Sequence, residues 1–303
     1  LAEALSLVES IAHDSGGEID AFSFGDQLPG RRTIEPNASL FMAWHDAGPC
    51  GLLAGGSLDG HTFDLGWGGV LPEHRGRGLG MALLQETERA ASASGMSLIR
   101  CSVGGDRRPE MRLLMAFGMK VIGVWDDHPG QAIRVIFRKT VGDPILRRTS
   151  SDRDLNVTIE PWPIKRLCEL EHIYQAGFGD LLDDGHPILD EMVLLDATYE
   201  NYLHVALVND EPVGFKQAQE RTRGVLHSHI GAVHPDARGA GIASKLMIAQ
   251  HDFAKSNGFG GIATRSRNRY PQMIRLNLKH GFQIVGVVQA LGEPAIHMFK
   301  RLK

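Results

Sequence analysis

Two short stretches of this chain carry residue types whose spacing suits chemistry. Arg75-Gly76-Arg77-Gly78-Leu79-Gly80 and Arg238-Gly239-Ala240-Gly241-Ile242-Ala243 share the pattern Arg-x-x-Gly-x-Gly/Ala. Each follows an apolar segment ending in Val-x-Pro: Val70-Leu71-Pro72 and Val233-His234-Pro235. Glycine lets a backbone approach a ligand closely and turn successive N–H groups outward. A helix opening there adds the positive end of its dipole. Together they make a cradle for a pyrophosphate. The alternative, for either turn alone, is a tight strand-to-helix connection with no ligand. An arginine at the same place in both copies favours the cradle. A second group, Leu226-His227-Ser228-His229-Ile230, leads into the second turn. Period two puts His227 and His229 on one face of a strand. Imidazole titrates near neutrality, so either ring suits a general base. His229 is nearer the turn and ranks first, with Glu220 on the neighbouring strand as a reserve base. The alternative is a pair of structural histidines on a sheet.

Both turns lie in an internal repeat. Val70 aligns with Val233, an offset of 163 residues. The same offset, without a gap, pairs Gly95 with Gly258, Ile99 with Ile262, Gly118 with Gly281, and Gly123-Val124 with Gly286-Val287. About a quarter of the positions over 70–124 are identical, enough for shared turn and core positions to show through. One register held across several turns points to two homologous domains. They are expected at 1–140 and 156–303. A polar, breaker-rich linker over 141–155 holds Gly142, Pro144 and Thr149-Ser150-Ser151-Asp152.

Periodicity and breakers then give the elements that position the two groups. In the second half a strand is predicted over 156–160, a helix over 164–176, a polar stretch over 177–187 and a helix over 188–200. Strands follow over 202–209 and 213–221, and a third runs to Val233. After the turn come a helix over 241–257 stopped by Gly258, a strand over 262–264, a helix over 271–280 and strands over 283–289 and 295–300. The first half repeats the scheme: strands over 40–44, 51–58 and 63–70, a helix over 78–94, a strand over 97–103, a helix over 110–117, and strands over 121–125 and 132–138. Each half is α+β, a mostly antiparallel mixed sheet flanked by helices, with one strand-turn-helix unit at its centre. The 156–160 strand has no counterpart in the first half. Either that domain lacks its opening strand, or residues before Leu1 supply it.

Composition removes several function classes. Of 303 residues, 43% are hydrophobic and 22% charged, which is ordinary for a globular chain. A net charge of −4 gives no overall field to draw nucleic acid or an anionic membrane. No apolar run approaches the ~18 residues of a spanning helix. The opening Leu1-Ala2-Glu3-Ala4-Leu5 has no basic n-region and no long apolar run, unlike a secretory signal. Cys50, Cys101 and Cys168 are far apart, which argues against a disulfide framework or a metal site and for a reducing, cytoplasmic compartment.

The turn, with its preceding Val-x-Pro, resembles the GNAT superfamily of acyl-CoA-dependent N-acetyltransferases. The chain looks like a tandem member, similar in layout to other two-copy members. The resemblance implies acetyl-CoA as co-substrate. Its pyrophosphate would lie on the amides of Arg238, Gly239, Ala240, Gly241, Ile242, Ala243 and Ser244, and its pantetheine against Ala232 and Val233. Val70, Arg75, Gly76, Arg77, Gly78, Leu79 and Gly80 form the matching set in the first half. Arg75, Arg77 and Arg238 would add charge near phosphates; the alternative is solvated loop arginines. The family often has a Glu on the strand before the loop and a Tyr on the late helix. This chain departs on both counts. At the Tyr position it has Asn277, which could hydrogen-bond the pantetheine or the sulfur but is a poor acid, and in the first half Leu114. Tyr270 could supply a hydroxyl or simply pack at the helix entry.

The first half is chemically poorer. Gly66 stands where His229 stands, and Asp64 is the one ionisable group on that strand face. The second half is therefore expected to be catalytic, the first to bind CoA at most. Asp180, Asp183 and Asp184 could hold an amine-rich acceptor or be a solvated loop; Trp162, Phe178 and Tyr199 could line a pocket or be core. The expected activity is N-acetyl transfer from acetyl-CoA to a primary amine of a small molecule, such as an amino sugar, an antibiotic or a peptide-like metabolite. A longer-chain N-acyltransferase and a non-catalytic CoA-binding scaffold or regulatory protein stay open. No nucleic acid, membrane or metal partner is expected, and the chain is expected as a monomer or homodimer.

Overall fold

A computed structural model describes residues 38–45, 48–57, 59–126, 133–146, 155–178, 199–289 and 293–302. The chain divides into two compact units between Arg147 and Arg148. The helix expected over 188–200 and the acidic loop with Asp180, Asp183 and Asp184 lie outside the described residues, Tyr199 and Glu200 apart. Within the expected linker, 141–146 is bonded to the first unit: Val141 N–H donates to the Ser97 carbonyl at 2.9 Å and Leu146 N–H to the Ala116 carbonyl at 2.9 Å.

The first unit holds β1 (Ala38–His45), β2 (Gly48–Gly56), β3 (Thr62–Val70), α1 (Leu79–Ala93), β4 (Leu98–Gly104), α2 (Arg108–Ala116), β5 (Lys120–Trp125) and β6 (Arg134–Thr140). Its sheet order is β1-β2-β3-β4-β6-β5. Every described pair is antiparallel except β3 with β4, which α1 connects as a crossover. Helix α2 begins two residues earlier than expected, with Pro109 in its first turn. Proline is accepted there because its missing N–H has no intrahelical partner.

The second unit holds β7 (Thr158–Trp162), α3 (Glu171–Phe178), β8 (Asn201–Val208), β9 (Glu211–Thr222), β10 (Val225–Val233), α4 (Ile242–Ser256), β11 (Gly261–Arg267), α5 (Pro271–Lys279), β12 (Gln283–Val288) and β13 (Ala295–Arg301). Its sheet runs β12-β13-β11-β10-β9-β8-β7, with β10 and β11 the parallel pair. The helix expected over 164–176 is split. Ile164–Leu170 is 3-10 helix, and α3 takes over at Glu171.

Alternation along the central strands gives the sheet two faces. Leu203, Val205, Leu207 and Phe215 pack with Leu167, Leu170, Ile173 and Tyr174 on the α3 face. Ala206 packs with Ala237, Ile242 and Leu246 on the α4 face. Tyr174 is only 1% exposed, and burying a side chain of that size contributes roughly 2–3 kcal/mol. The repeat is visible as geometry. β1 and β8, α1 and α4, β4 and β11, α2 and α5, and β5 and β12 all start and end at the offset of 163 residues. The register therefore extends upstream of Val70 to Ala38. Among the described residues no helix is long and apolar enough to cross a membrane.

Candidate active site

The glycine turn has one geometry in both units. A 3-10 turn, Pro72–His74 or Pro235–Ala237, ends in an extended arginine, Arg75 or Arg238. Gly76 and Gly78 then take φ of 77° and 84°, and Gly239 and Gly241 take 90° and 74°. An L side chain is strained in this left-handed region. A Cβ at Gly241 would meet nothing within 4 Å, so its glycine answers to φ and not to crowding. No side chain caps either helix. The first backbone bonds across the turns come from Ala82 N–H to the Gly78 carbonyl, 3.0 Å, and from Lys245 N–H to the Gly241 carbonyl, 3.1 Å. The preceding amides have no helical acceptor and, with the dipole, suit an anion.

The motif arginines are turned back onto the protein. Arg75 Nε donates to the Val70 carbonyl at 2.9 Å and Arg238 Nε to the Val233 carbonyl at 3.2 Å. Arg238 Nη2 also donates to the Gly177 carbonyl at 2.8 Å. Each arginine ties its loop to the end of the strand before it. Ser244 is engaged too, with His280 Nε2 at 3.0 Å from its Oγ.

The parallel strands fork below the turn. β10 pairs with β11 only from Val225 with Gly261 to Ser228 with Thr264. Thr264 Oγ1 donates to the Ser228 carbonyl at 2.9 Å and closes the fork. Beyond it β10 runs on to Val233 and β11 to Arg267 without pairing to each other. The cause is a bulge. Ser228 faces Ala218 and Ile230 faces Gln217, so His229 is the extra residue on β10. In the first unit β3 pairs with β4 only from Thr62 to Asp64, and Leu65 faces Gly55 while Trp67 faces Ala54. Gly66 is the extra residue there, at the offset of His229. Gly231 and Gly68 follow, where a Cβ would meet the Phe215 carbonyl at 2.9 Å or the Leu52 carbonyl at 2.8 Å.

The residues around the second fork are specific. His227 lies opposite Gln219, and period two from Phe215 carries Gln219 to the α3 face; β9 bulges just after it, and Arg221 is held on that side by its Nε donating to Gln219 Oε1. His227 neighbours Ala263 on β11, so Arg265 and Arg267 lie on that face too, with His297 of β13 opposite Arg265. His227 Nε2 is 3.2 Å from Thr222 Oγ1. Crowding by the sheet, then the charges of Arg221 and Arg265, push His229 down to about 4 although one edge of it is exposed. The same causes lower His227. Both rings are therefore unprotonated at neutral pH.

Other candidates lie elsewhere. Glu220 faces away: its Oε1 accepts from Gly224 N–H at 2.7 Å and holds the β9–β10 turn. Asn277 is 2% exposed, and its Nδ2 donates to Met298 Sδ at 3.6 Å inside the core. Tyr270 stands at the entry of α5 with its ring edge-on to Phe178, 5.8 Å between centroids, and Phe178 in turn meets Tyr174 at 5.0 Å. Trp162 lies under Arg166, and Tyr199 under Arg221. In the first fork Arg100 donates twice to Asp64, at 2.7 and 3.0 Å, and Leu114 is fully buried. Arg221 and Arg265 give no joint signal in the sequence, because they are far apart in the chain and meet only across β9, β10 and β11.

The model of the GNAT acetyltransferase family matches residues 8–119, and that of the GNAT acetyltransferase domain matches 200–284. No curated protein matches the chain. Solved structures with a similar fold include a Bacillus anthracis str. Ames protein assigned as a streptothricin acetyltransferase, in complex with acetyl coenzyme A (19% identity, 34% of this chain and 63% of that one, TM-score 0.33). Others are the ribosomal-protein-S18-alanine N-acetyltransferase of Escherichia coli (19%, 48% and 94%, 0.41) and the PaiA N-acetyltransferase of Thermoplasma acidophilum in complex with coenzyme A (13%, 49% and 100%, 0.39). The chain thus spans less than two thirds of the Bacillus protein's length. One family matched in each half, on two copies of the same fork and turn, makes the chain a tandem member of the GNAT acetyltransferase superfamily.

Proposed function

We propose that the second unit transfers an acetyl group from acetyl-CoA to a primary amine of a small molecule. The observation that carries this reading is the fork between β10 and β11, opened by the bulge at His229 and closed above by the amide nest of 239–244. The residues fit the co-substrate: unbonded amides and a left-handed Gly241 suit a pyrophosphate, and the stretch 230–233, with Ala232 and Val233, is unpaired on its β11 side and suits an amide-containing arm. When bound, acetyl-CoA supplies the activated acyl group as a thioester. The protein's own part is to receive that arm, to exclude water with the Phe178–Tyr270 pair, and to accept the amine proton at His229. His227 is the second choice of base. Buried against Met298, Asn277 acts in this reading as a positioning residue for α5. The first unit keeps the nest of Arg75, Gly76, Arg77, Gly78, Leu79 and Gly80 after Val70, but Gly66 and the Asp64–Arg100 pair leave its fork no free base among the described residues. It binds CoA without catalysing.

The fork reads only the shared CoA portion, so acyl length is settled by assay. Thiol release across an amine panel, with acetyl-CoA and a long-chain acyl-CoA, tests the activity. Release with acetyl-CoA supports the proposal. Release only with the long chain assigns a longer-chain acyltransferase. Retention of CoA without release on any amine leaves a CoA-binding scaffold.

A further inference from the structure

The α3 face of the fork is strongly basic. It carries Arg221, Arg265 and Arg267 together with His227 and His297, and His229 stands at the adjoining bulge. No carboxylate among the described residues pairs with any of these arginines. Arg221 Nε donates to Gln219 Oε1 at 2.8 Å, and Gln219 Nε2, in a fully buried residue, has no partner. Composition does not explain the charge, since the whole chain is at −4. The repeat does not require it either. The first unit has Asp64, Gly66, Ser102 and Gly104 where the second has His227, His229, Arg265 and Arg267, and Ile136 where it has His297. Arg221 and Arg265 flank both histidines closely enough for each charge to act on both rings.

A guanidinium binds a carboxylate or phosphate through paired, charge-assisted hydrogen bonds. The same charges repel an ammonium and so disfavour a polycationic acceptor. We propose that the acceptor amine carries an anionic group, a carboxylate or a phosphate, which Arg221 and Arg265 hold beside the fork. This rests on the reading that amine acylation takes place at the second fork. It replaces the amine-rich acceptor expected from the acidic loop with an amino-acid-like or phosphorylated amine. Arg221 and Arg265 are specificity residues here, and the bound anion offsets the charges that weaken His229 as a base.

The test uses matched acceptors on the full chain. Glycine is compared with glycinamide, and phosphoethanolamine with ethanolamine. Binding to the CoA-loaded protein is followed by calorimetry, and turnover by thiol release. The anionic member of at least one pair is expected to bind at least ~10-fold tighter, about 1.4 kcal/mol, and the pair that responds separates carboxylate from phosphate. Arg265→Gln and, separately, Arg221→Gln should erase the preference through the acceptor KM. Arg265 is exposed, so its variant does not depend on refolding a core. Equal or better binding of both neutral members overturns the proposal, as does a variant effect confined to the KM of acetyl-CoA. Anion preference without turnover keeps this inference and removes the acetyltransferase reading. Turnover without anion preference does the reverse.

Discussion

The two units place a lysine at the same spot and treat it differently: Lys139 is buried, Lys300 only half-buried. In the first, Lys139 of β6 is ion-paired with Glu88 of α1, donates to the Asp143 carbonyl at 2.6 Å and lies over the Phe117 ring. In the second, Lys300 of β13 donates to His251 Nδ1 of α4 at 2.8 Å, and His280 stands where Phe117 does. Burial and the charges of Lys300 and Lys216 push His251 down to about 3, so it accepts as a neutral ring. Lys216 is itself buried where the first unit has Leu53, and burial pushes it down to about 8. The forks differ in the same sense. Asp64 is consumed by Arg100, while the matching His227 lies on a face whose arginines pair with no carboxylate among the described residues. The first unit uses its charges to hold itself together. In the second, Lys216, Arg221, Arg265 and Arg267 pair with no carboxylate among the described residues, which is costly for the buried Lys216.

The largest effect expected from this contrast is on stability. Glu88→Gln strands the Lys139 ammonium in the core of the first unit and should cost about 3–5 kcal/mol, as removal of one partner of a buried pair does. His251→Gln, at the matching position, removes a neutral acceptor and should cost roughly 1–2 kcal/mol. Urea unfolding of the two variants measures the difference, and equal losses would break the comparison.

Lys216 gives the opposite sign. Its folded pKa of about 8 lies below the ordinary 10.5, so below pH 8 the folded chain carries the full penalty of a buried charge. The penalty fades as pH rises from about 8 to 10.5, because the unfolded chain then binds the extra proton. Lys216→Met should therefore stabilise by up to about 3 kcal/mol at pH 7, with the gain shrinking toward pH 10. A gain constant across that range would show that packing, not charge, is responsible.

Smaller in energy but closer to function is the base. His229→Ala should lower kcat by roughly 100-fold, while Asp64→Asn should leave it unchanged. Because His229 is held near 4, the acid limb assigned to the base should fall near pH 4 instead of the ordinary 6.5. A limb near 6.5 that disappears in His227→Ala would move the role to His227.

Much of the fold is legible in the amino-acid sequence. Helical and strand periods, with glycines at 95, 118, 258 and 281, locate most described elements to within a few residues, because apolar spacing and left-handed turns are local properties. The fork is legible only in part. The nest can be read from Gly239 and Gly241, since φ alone demands them. The bulge at His229 cannot, because it exists only as a mismatch between β10 and β9. Glu220 looks close to the histidines along the chain, yet the pleat carries it to the opposite face. Asn277 looks like a ligand-facing amide, but the rotation of α5 turns it onto Met298.

The central claim is that the second fork and nest, not the first, carry catalysis. Turnover of Gly241→Val tests it most directly. A β-branched residue at φ 74° costs about 1–3 kcal/mol of local strain and displaces the amides to which the proposal assigns the pyrophosphate. Unfolding curves first establish that both units remain folded. The account predicts that thiol release then falls at least ~100-fold, although the nest of Gly76 and Gly78 is untouched. Release at the wild-type rate from that variant would contradict it.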